Sequence, residues 1–293
     1  MSAPTMRPEG QQTSPRARTS PWRHAAVMVG AAIVVILVLV ILLVRNRTGA
    51  RYDHTMEMAL GGPPWLFFNI EDRLQQVSVT TVGVAGVLVA AVALSRRRMG
   101  LAVGSLVLIG GATVTTQILK KFVIHELPGS TPNSMPSGHA TVGISISLAV
   151  LMVLPVAWQW CVLPASAAVG FFFGAGTVVG HWHHPGDVLA ALAVCLAWAG
   201  VALALAHTVD HGPLARASRT SSHPVRAIGP GLATWLVIGG IALVSCLFLA
   251  WGAQPTVHGL RDLALGMTAV ALIAVGTVIV YGWFSQVARR FLV

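Results

Sequence analysis

Eight apolar runs of about 20 residues divide the chain, at 25–44, 78–94, 101–119, 140–157, 161–180, 188–206, 232–251 and 263–284, with polar segments between them. A helix rises 1.5 Å per residue and the hydrocarbon layer is about 30 Å thick, so each run predicts a helix that crosses a bilayer. Irregular spans are excluded, because in lipid every backbone N–H and C=O must be bonded internally. The pattern predicts an all-α, polytopic membrane helical bundle of about eight transmembrane helices. Residues 1–23, rich in Pro, Ser, Thr, Gln and Arg, show no apolar periodicity and read as a disordered basic tail. The first run is too long for a signal-peptide core and lacks a small-residue cleavage site, so it reads as a retained span.

Composition agrees. The chain has 293 residues, 55% hydrophobic and only 10% charged, with mean hydropathy +0.75. A soluble domain carries roughly a quarter of its residues charged. Cys161, Cys195 and Cys246 all fall inside apolar runs, where Cys acts as a small hydrophobe, and no CxxC framework is present.

The net charge of +10 does not indicate nucleic-acid binding, because the basic residues cluster between apolar runs. The tail, Ser95-Arg96-Arg97-Arg98, the loop 207–229 and Arg289-Arg290 alternate to one side, with twelve Lys or Arg against Glu9 and Asp210. The other side has seven basic against seven acidic residues. Cytoplasmic loops carry the excess of Lys and Arg, so both termini are expected on the cytoplasmic side of the cell membrane. The segments 120–139 and 181–187 then share the outer face. Between 45 and 77, Arg45, Arg47, Arg51 and Arg73 stand against Asp53, Glu57, Glu71 and Asp72, and Pro64 to Leu74 mixes aromatics with charges. That stretch reads as an interfacial segment. The Ala and Val content fits a GC-rich bacterial source.

Candidate chemistry gathers at two helix mouths on the outer face. Pro185 favours the first position of a helix, which makes Asp187 its third residue and puts His183 just outside. Asp187 can then fix the His183 tautomer and leave one nitrogen nucleophilic, or simply cap the helix. Pro136-Ser137-Gly138-His139 opens another helix. Its free N–H groups, the close approach permitted by Gly138 and the Ser137 hydroxyl suit a phosphate, while His139 can protonate a departing alkoxide. The plainer reading is a Ser cap beside an interfacial His. Lys120 and Lys121 either meet a phosphate or snorkel to headgroups. A metal held by His181, His183, His184 and Asp187 is the weaker alternative, since that spacing across a Pro-terminated turn is poor for three ligands.

These residues resemble the type 2 phosphatidic acid phosphatase superfamily, PAP2. Its pattern is a Lys with Arg-Pro some seven residues on, then Pro-Ser-Gly-His, then Ser-Arg with a following His-x-x-x-Asp. Here Lys120 with Pro128, Pro136 to His139, and His183 to Asp187 match in order and in helix placement. The resemblance covers about residues 25–206 and implies a six-helix catalytic core over 24–206. The cytoplasmic loop 207–229 follows, then two further helices with a short basic C-terminus over 230–293. It implies that His183 forms a phosphohistidine, Asp187 orients it and His139 protonates the leaving group. Lys120, Ser137 and Gly138 would bind phosphate oxygens. The first-motif Arg falls on Leu127, and the third-motif Ser-Arg on Gly176 and Thr177. Lys121, His125, His181 and His184 are the candidates to compensate.

The resulting expectation is a metal-independent, cofactor-free membrane hydrolase, a phosphatase acting on a lipid phosphate or diphosphate at the outer face. Polyprenyl diphosphate, a polyprenyl phosphate sugar and phosphatidate are the candidate substrates. The competing readings are a catalytically silent relative that binds a lipid phosphate or a partner protein, suggested by Leu127 and Thr177, and a transporter. Ionisable residues are nearly absent from the spans, which disfavours transport.

Overall fold

The computed structural model describes residues 20–60, 78–126, 128, 134–211 and 259–292. Helix α1 (Pro21–Leu39) starts on a proline, whose missing N–H costs nothing in a first turn. Pro21, Trp22 and Arg23 are therefore helical, inside the stretch expected to be disordered. The helix runs on through a wide turn, Val40–Val44, before α2 (Arg47–Met58), which Asn46 caps by accepting from the Thr48 and Gly49 amides. Next come α3 (Val79–Ser95), α4 (Met99–Ile118) with a second wide turn Leu119–Val123, and α5 (Gly138–Val153). Then α6 (Gln159–Val179), α7 (Pro185–His211) and α8 (Leu260–Leu292) follow.

Seven of the eight predicted runs are thus helices, and the fold is a polytopic helical bundle. Five helical stretches are long and apolar enough to cross a membrane, at Pro21–Val44, Met99–Val123, Val156–Val179, Pro185–His211 and Leu260–Phe291, while α3 and α5 are shorter apolar helices. The run 232–251, the Pro64 to Leu74 segment, Leu127 and Cys246 lie outside the described residues. The cysteines within them, Cys161 and Cys195, are free.

Helix α7 is the central post, packed against α1, α4, α5 and α8. Its buried side chains are mostly small, including Ala190, Ala191, Ala199, Ala202 and Ala206, so neighbouring backbones approach closely. Gly111 of α4 shows the same economy of space. A Cβ there would stand 2.4 Å from the Trp198 ring, whose Nε1 donates to Thr115 Oγ1 at 2.9 Å. Helix α8 is part of the same packing: Tyr281 is fully buried and shares a hydrogen bond with Ser147 of α5.

Polar contacts define one end of the bundle. Arg98 Nε donates to Asp210 Oδ2 at 2.7 Å, Arg289 Nε to Gln159 Oε1 at 2.7 Å, and His207 Nδ1 to the Phe291 carbonyl at 3.0 Å. Arg96 reaches the Val153 carbonyl. This end gathers the α3–α4 and α5–α6 turns and the C-terminal ends of α7 and α8. Alternating helix directions bring the mouths of α5 and α7, with the far ends of α1 and α4, to the opposite end.

Candidate active site

A small apolar floor joins the elements at that opposite end. Val44, Ile124, Met135 and Ala190 are buried together, with Leu39, Val40, Leu43 and Leu119 against them. The last turns of α1 and α4, the loop before α5 and the first turns of α7 are held in one unit. Above the floor, the Ser137 amide donates to the Asp187 carbonyl at 3.0 Å. The two motifs that lie far apart in sequence are stitched backbone to backbone.

Pro185 opens α7, with Asp187 as its third residue, as the sequence implied. Asp187 is almost fully buried. Its Oδ2 accepts from His183 Nδ1 at 3.0 Å and from the His184 amide at 3.1 Å, and the Ser134 hydroxyl also donates to it. The two readings of Asp187 are therefore compatible, since reaching back to the amide before the helix is a cap and gripping His183 is an orienting contact. With Nδ1 committed to Asp187, and Ser134 Oγ at 3.1 Å, the buried His183 keeps its lone pair on Nε2. A neutral imidazole in that tautomer is a nucleophile.

His139, in the first turn of α5, lies within electrostatic reach of His183 and Lys120. Its ring packs on Trp182, with centroids 5.1 Å apart. Ser137 is fully buried and caps α5 by accepting from the Ala140 amide at 3.3 Å. Among the described residues, an added Cβ at Gly138 would find only Gln117 Nε2, at 3.7 Å. Packing does not demand a glycine at this helix N-terminus; a ligand approaching the backbone would. Lys120 is half-buried in the wide turn after α4, whereas Lys121, His125 and His181 are exposed.

His184 is turned elsewhere. Its Nε2 is 3.2 Å from Glu57 Oε2 and its Nδ1 is 3.6 Å from Asp187 Oδ2, so both nitrogens face carboxylates. Burial lowers its pKa, but the Asp187 hydrogen bond and the charges of Asp187, Glu57 and Asp53 outweigh that and raise it above the usual value. Thr177, where the resemblance would put a guanidinium, is fully buried in α6. Its hydroxyl donates to the Gly174 carbonyl at 2.8 Å, while its own carbonyl accepts from the Trp182 and His183 amides. The position serves the turn that carries His183.

Two contributors lay beyond sequence reasoning. One is Ser134. The other is α2, whose buried Asp53 accepts from the Gly186 amide at 3.0 Å and whose Glu57 bridges His54, at 3.2 Å, and His184. Asp53 thereby satisfies an otherwise unpaired donor at the mouth of α7. Gly186 is the point of contact: a Cβ would lie 2.4 Å from Leu43 Cδ1 and 2.6 Å from Asp53 Oδ2. The spacing of Asp53, His54 and Glu57 on one helical turn was the available signal.

Burial pushes the Asp53 carboxyl up to about 7. The Gly186 hydrogen bond and His184 pull it down, and Asp187 and Glu57 push it further up. An unfolded Asp titrates near 3.9, so between about pH 4 and 7 the folded chain binds a proton that the unfolded chain has released. That stabilisation is complete below the unfolded value and is lost as pH rises through 7. Thermal unfolding followed over this window should show a falling contribution from this group, and Asp53→Asn should flatten it.

Residues 101–210 match the model of the PAP2 superfamily. The PAP2 match begins in α4 and ends in α7, narrower than the 25–206 expected from the motifs, and it contains His139, His183 and Asp187. Helix α2, with Asp53 and Glu57, stands outside the PAP2 segment yet packs onto its α7 mouth. No curated protein and no solved structure matches the chain.

Proposed function

We propose that the chain is a membrane phosphatase that hydrolyses a lipid phosphate or diphosphate through a phosphohistidine on His183. The observation that carries this reading is the buried contact of His183 Nδ1 with Asp187, which leaves Nε2 as the lone-pair nitrogen at a helix mouth joined to the mouth bearing His139. In the first step the Nε2 lone pair attacks phosphorus, the ester or anhydride P–O bond breaks, and the leaving oxygen takes its proton from His139. In the second step His139, now neutral, takes a proton from water. The water oxygen attacks phosphorus and the P–N bond breaks, which releases inorganic phosphate from a monoester or diphosphate and a phosphomonoester from a phosphate sugar. The positive character of the α5 N-terminus at Gly138, with Lys120, would offset charge on the phosphoryl oxygens.

Substrate class and face follow from placement and charge. The site lies at one end of an apolar bundle, and among the described residues Arg96 to Arg98, Arg289 and Arg290 lie at the other. By the positive-inside rule the site end is extracytoplasmic and both termini are cytoplasmic. Polyprenyl diphosphate, a polyprenyl phosphate sugar and phosphatidate all present a phosphate at headgroup depth.

A second reading, a catalytically silent relative that binds a lipid phosphate, is favoured by the buried Thr177 in place of a guanidinium. Arginine forks bind phosphate more strongly than the groups here. A phosphate-release assay over these lipids in detergent micelles, with His183→Ala as control, separates the two. Release of phosphate from at least one lipid above the control is expected. Lipid binding with no release from any of them would establish the silent reading.

A further inference from the structure

We infer that His54, Glu57 and His184 form a divalent transition-metal site that couples α2 to the mouth of α7. One ligand atom from each lies within 4.8 Å of the other two. Glu57 Oε2 is 3.2 Å from His54 Nδ1 and 3.2 Å from His184 Nε2. Ligand atoms on a tetrahedral zinc, with bonds of about 2.0–2.1 Å, stand roughly 3.3 Å apart, so two of the three edges already have the required length. His54 is the exposed member, with its side chain 46% accessible, and can close the third edge by turning its ring. Two imidazoles and one carboxylate leave a fourth position open to water, in a donor set suited to zinc and its neighbours.

A second observation points the same way. Metal-bound histidines commonly direct their other ring nitrogen at a carboxylate, which fixes the tautomer and raises ligand basicity. His184 has that arrangement, with Nε2 toward Glu57 and Nδ1 facing Asp187 Oδ2 at 3.6 Å. The surroundings also carry an excess of acid. Asp53, Glu57 and Asp187 stand close enough to act on one another, and among the described residues the ion-pair partners of Glu57 and Asp187 are histidines. A dication offsets that charge without a new side chain. The site differs from the cluster of His181, His183, His184 and Asp187 weighed on sequence: it takes two of its ligands from α2 and leaves His183 free. It does not depend on the phosphatase reading.

The test is zinc binding by the full-length, untagged protein in detergent, stripped with chelator, dialysed and titrated with Zn²⁺ by calorimetry, with bound metal counted by elemental analysis. One zinc per chain is expected to be lost in Glu57→Gln, with affinity reduced about 100-fold or more. His54→Ala, on an exposed side chain that does not endanger the fold, should weaken the same site, and His183→Ala should leave it intact. Thermal unfolding should shift upward with zinc in the native chain and not in Glu57→Gln. Absence of a stoichiometric site, or a site of unchanged affinity in both α2 variants, overturns the inference and leaves a hydrogen-bonded cluster only. Loss of phosphatase activity with zinc binding retained would instead bear on His183 alone.

Discussion

Replacing His183 by alanine is expected to reduce phosphate release from lipid phosphates by about 10⁴-fold or more, because the proposed mechanism then has no nucleophile and water must attack unaided. The side chain is buried at a helix mouth but small in area, and its main polar partners, Asp187 and Ser134, also bond to each other. The variant should therefore fold, as thermal unfolding in detergent would show. Turnover equal to the native rate in a folded His183→Ala protein would remove His183 from the chemistry.

Asp187→Asn is expected to lower turnover by about 10²–10⁴-fold with a smaller change in KM, since in the proposed mechanism the residue acts on the imidazole and not on the substrate. An amide keeps the size and can still accept from the His184 amide. It lacks the charge that stabilises a cationic His183 and no longer fixes Nδ1–H as the donor. Kinetics over the lipid panel, with native and variant compared for kcat and KM, check this. A pure KM effect would point to Asp187 as a cap that merely shapes the mouth of α7.

Much of this site could be read from single residues and their neighbours in sequence. Pro185 announced the start of α7, and from it followed the places of Asp187 and His183. The basic clusters at Arg96 to Arg98 and at Arg289-Arg290 told which helix ends share a side, and hence that the two motifs meet. Ser137 showed as a cap because Ser before an apolar run usually is one.

Other parts were hidden for physical reasons. Helix α2 has few apolar residues, and its charges read only as part of a loop of balanced basic and acidic residues until Asp53 met the Gly186 amide, 133 residues away. Ser134 sits in a stretch of Pro, Ser, Thr and Asn where nothing local sets it apart from Ser130; only the fold puts it beside Asp187. His184 looked like a phosphate ligand because it adjoins His183, yet Glu57 of α2 claims its Nε2. In each case the deciding partner comes from another helix, which periodicity along one segment does not report.

The central claim is a covalent bond between phosphorus and His183. Its most direct measurement is a rapid-quench single turnover with ³²P-labelled lipid phosphate, followed by mapping of the label under alkaline conditions that preserve phosphohistidine. The account predicts label on the peptide carrying His183, absent from His183→Ala and formed more slowly in His139→Ala. Native-rate phosphate release with label on His184, or with none on the chain, would contradict it.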